Sequence, residues 1–239
     1  MSILIPARNE ALRIEPFLRE LLTFMEGFVG RKGDTFEVIV AEDGSSDETL
    51  KIVQSVITTC SAAHVLHCNH RLGKGGALKA AFRKSRGKAV ISMDADGGYR
   101  PSEIPLFLKA LERYDMAIGN RSPSRTERAP PIRRRIAGLV FNILFRVLFG
   151  SKICDTQAGF KAYRRTAFQA LLQTIRTNGF EMDAEIVARA QYLGLSLAEV
   201  PISYKYVNRS NVEVIGDGLA MASSMLGLRL EIPLRRPKW

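Results

Sequence analysis

Asp94 and Asp96 flank one alanine directly after the apolar run AVISM at 89–93, and glycines follow at 97 and 98. Two carboxylates brought together at a strand end repel each other unless a cation sits between or beside them. A hard divalent ion, Mg²⁺ or Mn²⁺, would neutralise the pair and take further oxygen ligands from a diphosphate. The glycines let the backbone approach such a ligand closely. The same tripeptide is common in Asp- and Gly-rich surface turns, so its weight depends on the elements that position it.

Strands and helices alternate through the first half. Residues 2–6 read as a short apolar strand, and 10–28 have helical spacing through Leu12, Phe17, Leu18, Leu21, Leu22 and Met25. Residues 36–41 (FEVIVA) are a second strand. Ser45-Ser46-Asp47-Glu48 then reads as a capping box, with Ser45 bonding the Glu48 amide, and opens a helix toward Ile57. A strand at 63–67, a helix at 75–86 and a strand at 89–93 follow. Next come a helix at 101–113, with Pro101 in its first turn where a missing amide costs little, and a strand at 116–119. This alternation predicts an α/β fold: a mostly parallel central sheet with helices on both faces. Ligands of such sheets sit beyond the carboxyl ends of the strands. The segments there are Ala7-Arg8-Asn9-Glu10, Glu42-Asp43-Gly44, residues 94–98 and Asn120-Arg121, which are polar, acidic and glycine-bearing.

The second half is less regular. Residues 121–135 read as a loop with three prolines and six arginines against one glutamate, and an apolar helix follows at 134–149. A turn at 155–159, a strand at 160–163, a helix at 181–193, one or two strands at 196–206 and a last helix at 212–230 complete the chain, before the basic tail LRRPKW. No repeat or linker divides it. A single domain over 1–239 is expected, with a nucleotide-sugar half at 1–119 and an acceptor half at 120–239.

Four blocks in order now carry a resemblance: Ile-Pro-Ala-Arg-Asn-Glu at 5–10, Ala-Glu-Asp-Gly-Ser-Ser-Asp-Glu-Thr at 41–49, Leu-Gly-Lys-Gly-Gly-Ala-Leu at 72–78 and Met-Asp-Ala-Asp at 93–96. Together they resemble the signature of family 2 inverting glycosyltransferases, which have the GT-A fold. Ile-Gly-Asn-Arg at 118–121, Asp-Thr-Gln-Ala-Gly-Phe-Lys at 155–161 and Phe-Glu-Met-Asp-Ala-Glu at 180–185 are similar to the polyprenyl (dolichyl) phosphate sugar synthases, the glucosyltransferase branch before the mannose branch. The resemblance covers nearly the whole chain. It implies that Pro6, Ala7 and Glu10 line the nucleoside and that Asp43 bonds the base. Lys74 would lie near the diphosphate, Asp94, Ala95 and Asp96 would hold metal and sugar diphosphate, and Arg209 would approach the donor. Arg121 and Arg135 would bind an acceptor phosphate. The chain departs from the mannose-synthase pattern at Glu42, where aspartate is usual, at Gly98, where a metal-binding Gln is frequent, and at Asn211, where Lys is expected.

The implied reaction transfers glucose or mannose from UDP-glucose or GDP-mannose to a polyprenyl phosphate. Breaking the anomeric bond places negative charge on the leaving diphosphate, which the metal, Lys74 and Arg209 would stabilise. An alcohol acceptor needs a carboxylate base, whereas a phosphate monoester, with a second pKa of about 6, is already largely a dianion. Its need is for cations, and the arginines of 121–135 supply them. Asp155, Glu181, Asp183 and Glu185 are candidates for a base or a structural acid, Asp155 first among them for a direct role in the site.

With 35 Lys+Arg against 24 Asp+Glu, the formal net charge of +11 calls for an anionic partner. A nucleic acid would satisfy it, but no RNA- or DNA-binding signature accompanies the charge and no aromatics interleave the arginines. A helix apolar over most of its circumference is usually buried core. Beside a polybasic segment, a membrane-facing helix competes with that reading. The expectation is therefore a cytoplasmic protein, peripheral at the cytosolic face of a membrane and able to use a separate membrane partner. No signal peptide is expected, since Met1 leads directly into an apolar strand, and no apolar run reaches ~18 residues. Its three cysteines lack metal spacing and suit a reducing compartment. A glycosyltransferase with a non-lipid acceptor is the rival reading.

Overall fold

The computed structural model describes residues 1–30, 35–128, 130–179, 181–207 and 216–232. Strands β1 (Ser2–Ala7), β2 (Glu37–Glu42), β3 (Ala63–His67) and β4 (Ala89–Ser92) alternate with helices α1 (Ile14–Gly30), α2 (Thr49–Ile57) and α3 (Gly73–Lys84). After a 3₁₀ turn come α4 (Ile104–Leu111), β5 (Met116–Arg128), α5 (Ile132–Phe149), β6 (Lys161–Arg164), α6 (Arg165–Thr174), α7 (Met182–Tyr192), β7 (Leu197–Lys205) and α8 (Gly216–Glu231).

The central strands are apolar on both faces because both faces are covered. Ile3, Ile5, Val38 and Val40 face one core with α1, α2 and α4, while Leu4, Ile39 and Val90 face the other with α3 and α5–α8. The sheet runs β3-β2-β1-β4-β6-β5-β7. All its pairings are parallel except those of β6, which is antiparallel to β4 and β5. This inversion sets Lys161 opposite Ser92 at the carboxyl end of β4, so the turn before β6 lands beside the acidic pair.

Several elements differ from expectation. Strand β5 does not stop at residue 119; it continues beside β7 through Arg121↔Ile202 to Arg128↔Lys205. The arginine-rich 121–135 segment is therefore strand as far as Arg128 and helix from Ile132. Pro123 falls in the irregular stretch between the Arg121 and Thr126 pairings, where a missing amide is tolerated. Helix α1 starts at Ile14, which leaves Leu12 73% exposed rather than on its buried face. Helix α6, unexpected from sequence, buries Ala167, Phe168 and Leu171. The Ser45–Glu48 capping box does not form: α2 has no side-chain cap at Glu48. Asp47 Oδ1 takes the Thr49 amide instead at 3.0 Å, and Ser45 is used to join two loops of the crevice.

Candidate active site

The crevice is built from the carboxyl ends of β1, β2 and β4 and the turn before β6. The first two loops are stitched together. The Asn9 amide donates to Ser45 Oγ at 3.0 Å, Asn9 Oδ1 accepts the Ser46 amide at 2.9 Å, and the Glu10 amide donates to Thr49 Oγ1 at 2.8 Å. Asn9 meets this geometry at φ 55°, in the left-handed region that asparagine tolerates. Asp43 is buried and accepts the Leu72 and Gly73 amides at 2.6 and 2.9 Å. It thereby fixes the loop that opens α3. Gly73 has φ 78°, and a Cβ there would lie 2.4 Å from Asn178 O, so only glycine fits.

That anchoring delivers Lys74 to the acids. Its Nζ lies 2.9 Å from Asp94 Oδ1 and 2.7 Å from Asp183 Oδ2, while Lys161 Nζ reaches Asp183 Oδ1 at 2.5 Å. Burial works against the Lys74 ammonium, but the Asp183 and Asp94 carboxylates outweigh it and hold its pKa raised. Burial likewise opposes charge on Asp183, and Lys161 and Lys74 override it, keeping that carboxyl below the ordinary range. Among the described residues Asp96 has no such pair. Burial and then the neighbouring Asp94 push its pKa up, against the Gly98 amide donated to Oδ1 at 2.9 Å. Glu10, paired with Arg13 at 2.6 Å, is pushed up to about 7 by burial; Arg13 partly offsets this, and Asp96 and Asp94 add to it. The Asp94–Asp96–Glu10 corner is thus short of positive charge.

Glycines allow the walls to close on this corner. A Cβ at Gly159 would fall 1.9 Å from Asp94 Oδ2, and one at Gly98 would fall 2.8 Å from Tyr204 Cε2. The close approach of Tyr204 is a physical reason for the small residue at 98. The Gly159 amide donates to Tyr99 Oη at 2.9 Å, and the Tyr99 ring packs on Tyr204 and Phe160. Beyond Tyr204, 5.2 Å from its ring, lies the Arg121 guanidinium. Asp155 grips it with two parallel bonds, Nε–Oδ2 at 2.7 Å and Nη2–Oδ1 at 2.8 Å. Burial disfavours the Asp155 carboxylate, but Arg121 prevails and holds its pKa low. Such a carboxylate orients an arginine and is a weak base.

Of the residues expected from sequence, Glu10, Lys74, Asp94 and Asp96 meet in one corner, with buried Ala7 and Ala95 and half-buried Pro6 in its backbone walls. Asp43 lies at the adjoining strand end with both oxygens on amides. Arg121 and Asp155 form the far wall. Arg135 stands exposed in the first turn of α5, and Arg209 and Asn211 lie outside the described residues. Glu181 contacts the Gly179 amide, and Glu185 caps the Arg176 and Thr177 amides and pairs with Arg189, away from the acids. Sequence reasoning missed Lys161, Tyr99 and Tyr204. A lysine inside the apolar run at 160–163 was the available signal for the first.

Asp94 and Asp96 are the side chains that fit a hard divalent ion. Among the described residues no group of three or more His, Cys, Asp or Glu is arranged to hold one, so further ligands would come from a bound diphosphate.

The family profile described as glycosyl transferase family 2 matches residues 2–172. The chain is 34% identical to glycosyltransferase AglD of Haloferax volcanii over 98% of its own length, but spans 38% of that relative. It is 29% identical to a dolichyl-phosphate beta-glucosyltransferase of Dictyostelium discoideum, over 96% of this chain and 73% of the other. Among solved structures, glucosyl-3-phosphoglycerate synthase of Mycobacterium tuberculosis in complex with Mn²⁺, UDP-glucose and phosphoglyceric acid is similar with a TM-score of 0.72. That match has 21% identity and covers 97% of this chain and 80% of that one.

Proposed function

Because the chain belongs to glycosyl transferase family 2 and has a GT-A fold, we propose that this glycosyltransferase moves a hexose from a nucleotide-diphosphate sugar to a polyprenyl phosphate. UDP-glucose is the favoured donor, since the dolichyl-phosphate relatives are beta-glucosyltransferases; GDP-mannose is the second. One observation carries the acceptor class. On the acceptor side of the crevice Asp155 is locked on Arg121, and nearer the donor acids Asp183 lies between two lysines, so these carboxylates are held ionised by cations rather than poised as bases. An alcohol would need a base; a phosphate monoester brings its own charge and needs a fixed cation.

In this reading Arg121, oriented by Asp155 and stacked on Tyr204, holds the acceptor phosphate, with Arg135 contributing from α5. Asp94 and Asp96 hold Mg²⁺ or Mn²⁺, which supplies Lewis-acid stabilisation of the leaving diphosphate; the fold neighbour's complex with Mn²⁺ and UDP-glucose is in keeping with this. Lys74 adds positive charge on the same side. Pro6, Ala7, Glu10 and Asp43 shape the nucleoside end, with Asp43 acting chiefly through the loop it fixes. Residues 1–119 carry the donor and 120–239 the acceptor within one domain.

Helix α5 suits a lipid acceptor. Ile132, Ile136, Leu139, Val140, Ile143 and Val147 are exposed along it, and Leu226 and Leu230 are exposed on α8, which packs against it. Arg133 and Arg135 are exposed in the first turn of α5. No helix of the described residues is long and apolar enough to cross a membrane; the arrangement we propose, on the exposed apolar face of α5, is peripheral, at the cytosolic face. The test is a matrix of UDP-glucose, UDP-galactose, UDP-GlcNAc and GDP-mannose against a short polyprenyl phosphate, with and without Mn²⁺. Glucolipid from UDP-glucose with Mn²⁺ is expected; no glycolipid from any donor would return the chain to a non-lipid acceptor.

A further inference from the structure

Lys74 stands where the proposed reaction places another cation. Its side chain is 14% exposed, and its Nζ touches Asp94 Oδ1 at 2.9 Å. The other oxygen of Asp94 is closed in by the backbone of Gly159, where a Cβ would lie 1.9 Å away. The Asp94 carboxylate is thus held between the turn before β6 and the ammonium. Two cations crowding one carboxylate repel each other, so a divalent ion settles on Asp94 only as Lys74 gives way. Asp183 offers Lys74 a second hold at 2.7 Å, and it is itself fixed from behind by the fully buried Lys161 at 2.5 Å.

Resting on the metal-dependent transfer proposed above, we propose that Lys74 is the resident counter-ion of Asp94 in the donor-free chain, so that divalent cation and nucleotide bind as a coupled pair. The charges explain the coupling. Asp94 and Asp183 pair with Lys74 and Lys161, and Asp96, beside Asp94, is the carboxylate left over. A divalent ion alone converts that deficit into an excess and has to compete with Lys74. A diphosphate arriving with it removes that excess and gives Lys74 a new partner while Asp183 keeps hold of it.

Direct Mn²⁺ binding to the full chain, read by electron paramagnetic resonance of the free ion with and without saturating UDP, tests this. Wild type binds Mn²⁺ weakly alone and far more tightly with UDP. Lys74→Met binds Mn²⁺ alone about tenfold more tightly than wild type, a typical size for a coupling between sites, and gains less from UDP. Lys74→Gln, whose amide can still bond Asp183, gives the same result and serves if the methionine variant does not fold. Unchanged or weaker Mn²⁺ binding in the variants overturns the inference. So does equal tightening with and without UDP, which marks a diffuse charge effect rather than occupancy. A wild type that binds no Mn²⁺ even with UDP overturns instead the metal reading beneath it.

Discussion

Gly159 and Asp94 show how closely the site depends on single atoms. The turn before β6 lies against the Asp94 carboxylate, and one added methyl would occupy the place of Oδ2. Gly159→Ala is therefore expected to move Asp94 off its position and lower kcat on the order of a hundredfold, with the circular dichroism spectrum of the wild type retained. Full activity would show that Asp94 is not placed by this contact. Asp96→Ala tests the partner acid: loss of Mn²⁺-dependent activity is expected, and full activity would remove it from the metal site. Asp94 and Asp96 were legible in the sequence because residue type, spacing and a preceding apolar strand all pointed to one strand end. Lys161 was not, since its partner Asp183 is on another element, and a lysine in a short apolar strand reads as an anomaly until the two meet in space. Asp155 was legible as a site residue, but its role as the grip on Arg121 needed the two-bond geometry.

At the scale of elements, α5 departs most from what an apolar helix usually does. Only Phe145 and Phe149 are buried on it, while a stripe at 132, 136, 139, 140, 143 and 147 faces outward. Burying one such side chain contributes about 1.5–3 kcal/mol, so a bilayer surface would hold the helix firmly. The triple variant Leu139→Ser, Val140→Ser, Ile143→Ser should lose at least about tenfold in co-sedimentation with vesicles containing phosphatidylserine, while activity on a short, water-soluble acceptor persists. Unchanged co-sedimentation would contradict a membrane role for this face. The helix itself was readable from its period, but which side it buries was not, because that depends on α8 arriving from later in the chain. The same holds for β5: its extension past residue 119 rests on β7, and a proline and several arginines made that stretch look like loop.

For the molecule as a whole, the parallel half of the sheet followed from strand–helix alternation, whereas the inverted β6 had no local signature. It is this inversion that brings the two halves of the chain together at the acids, and their ionisation should show in stability. Asp155, Asp183 and Glu185 all have lowered folded pKa values. Their contribution is complete above their unfolded values and is lost as pH falls through the folded ones. Glu10 has the opposite sign: raised to about 7, it withdraws stability as pH rises from its unfolded value, about 4.3, to about 7. Melting temperature in the donor-free chain should thus peak near pH 5, decline toward pH 7 and fall steeply below about pH 4. Glu10→Gln should flatten the decline toward pH 7; an unaltered profile in that variant would contradict the assignment.

The claim that a phosphate, not a hydroxyl, receives the sugar is tested most directly by two acceptors that differ only in that group. A short polyprenyl phosphate and the matching polyprenol are each incubated with radiolabelled UDP-glucose, Mn²⁺ and the full chain, and the label in the organic phase is counted. Label transferred to the phosphate and none to the alcohol is the predicted result. Equal labelling of both, or labelling of the alcohol alone, would contradict it.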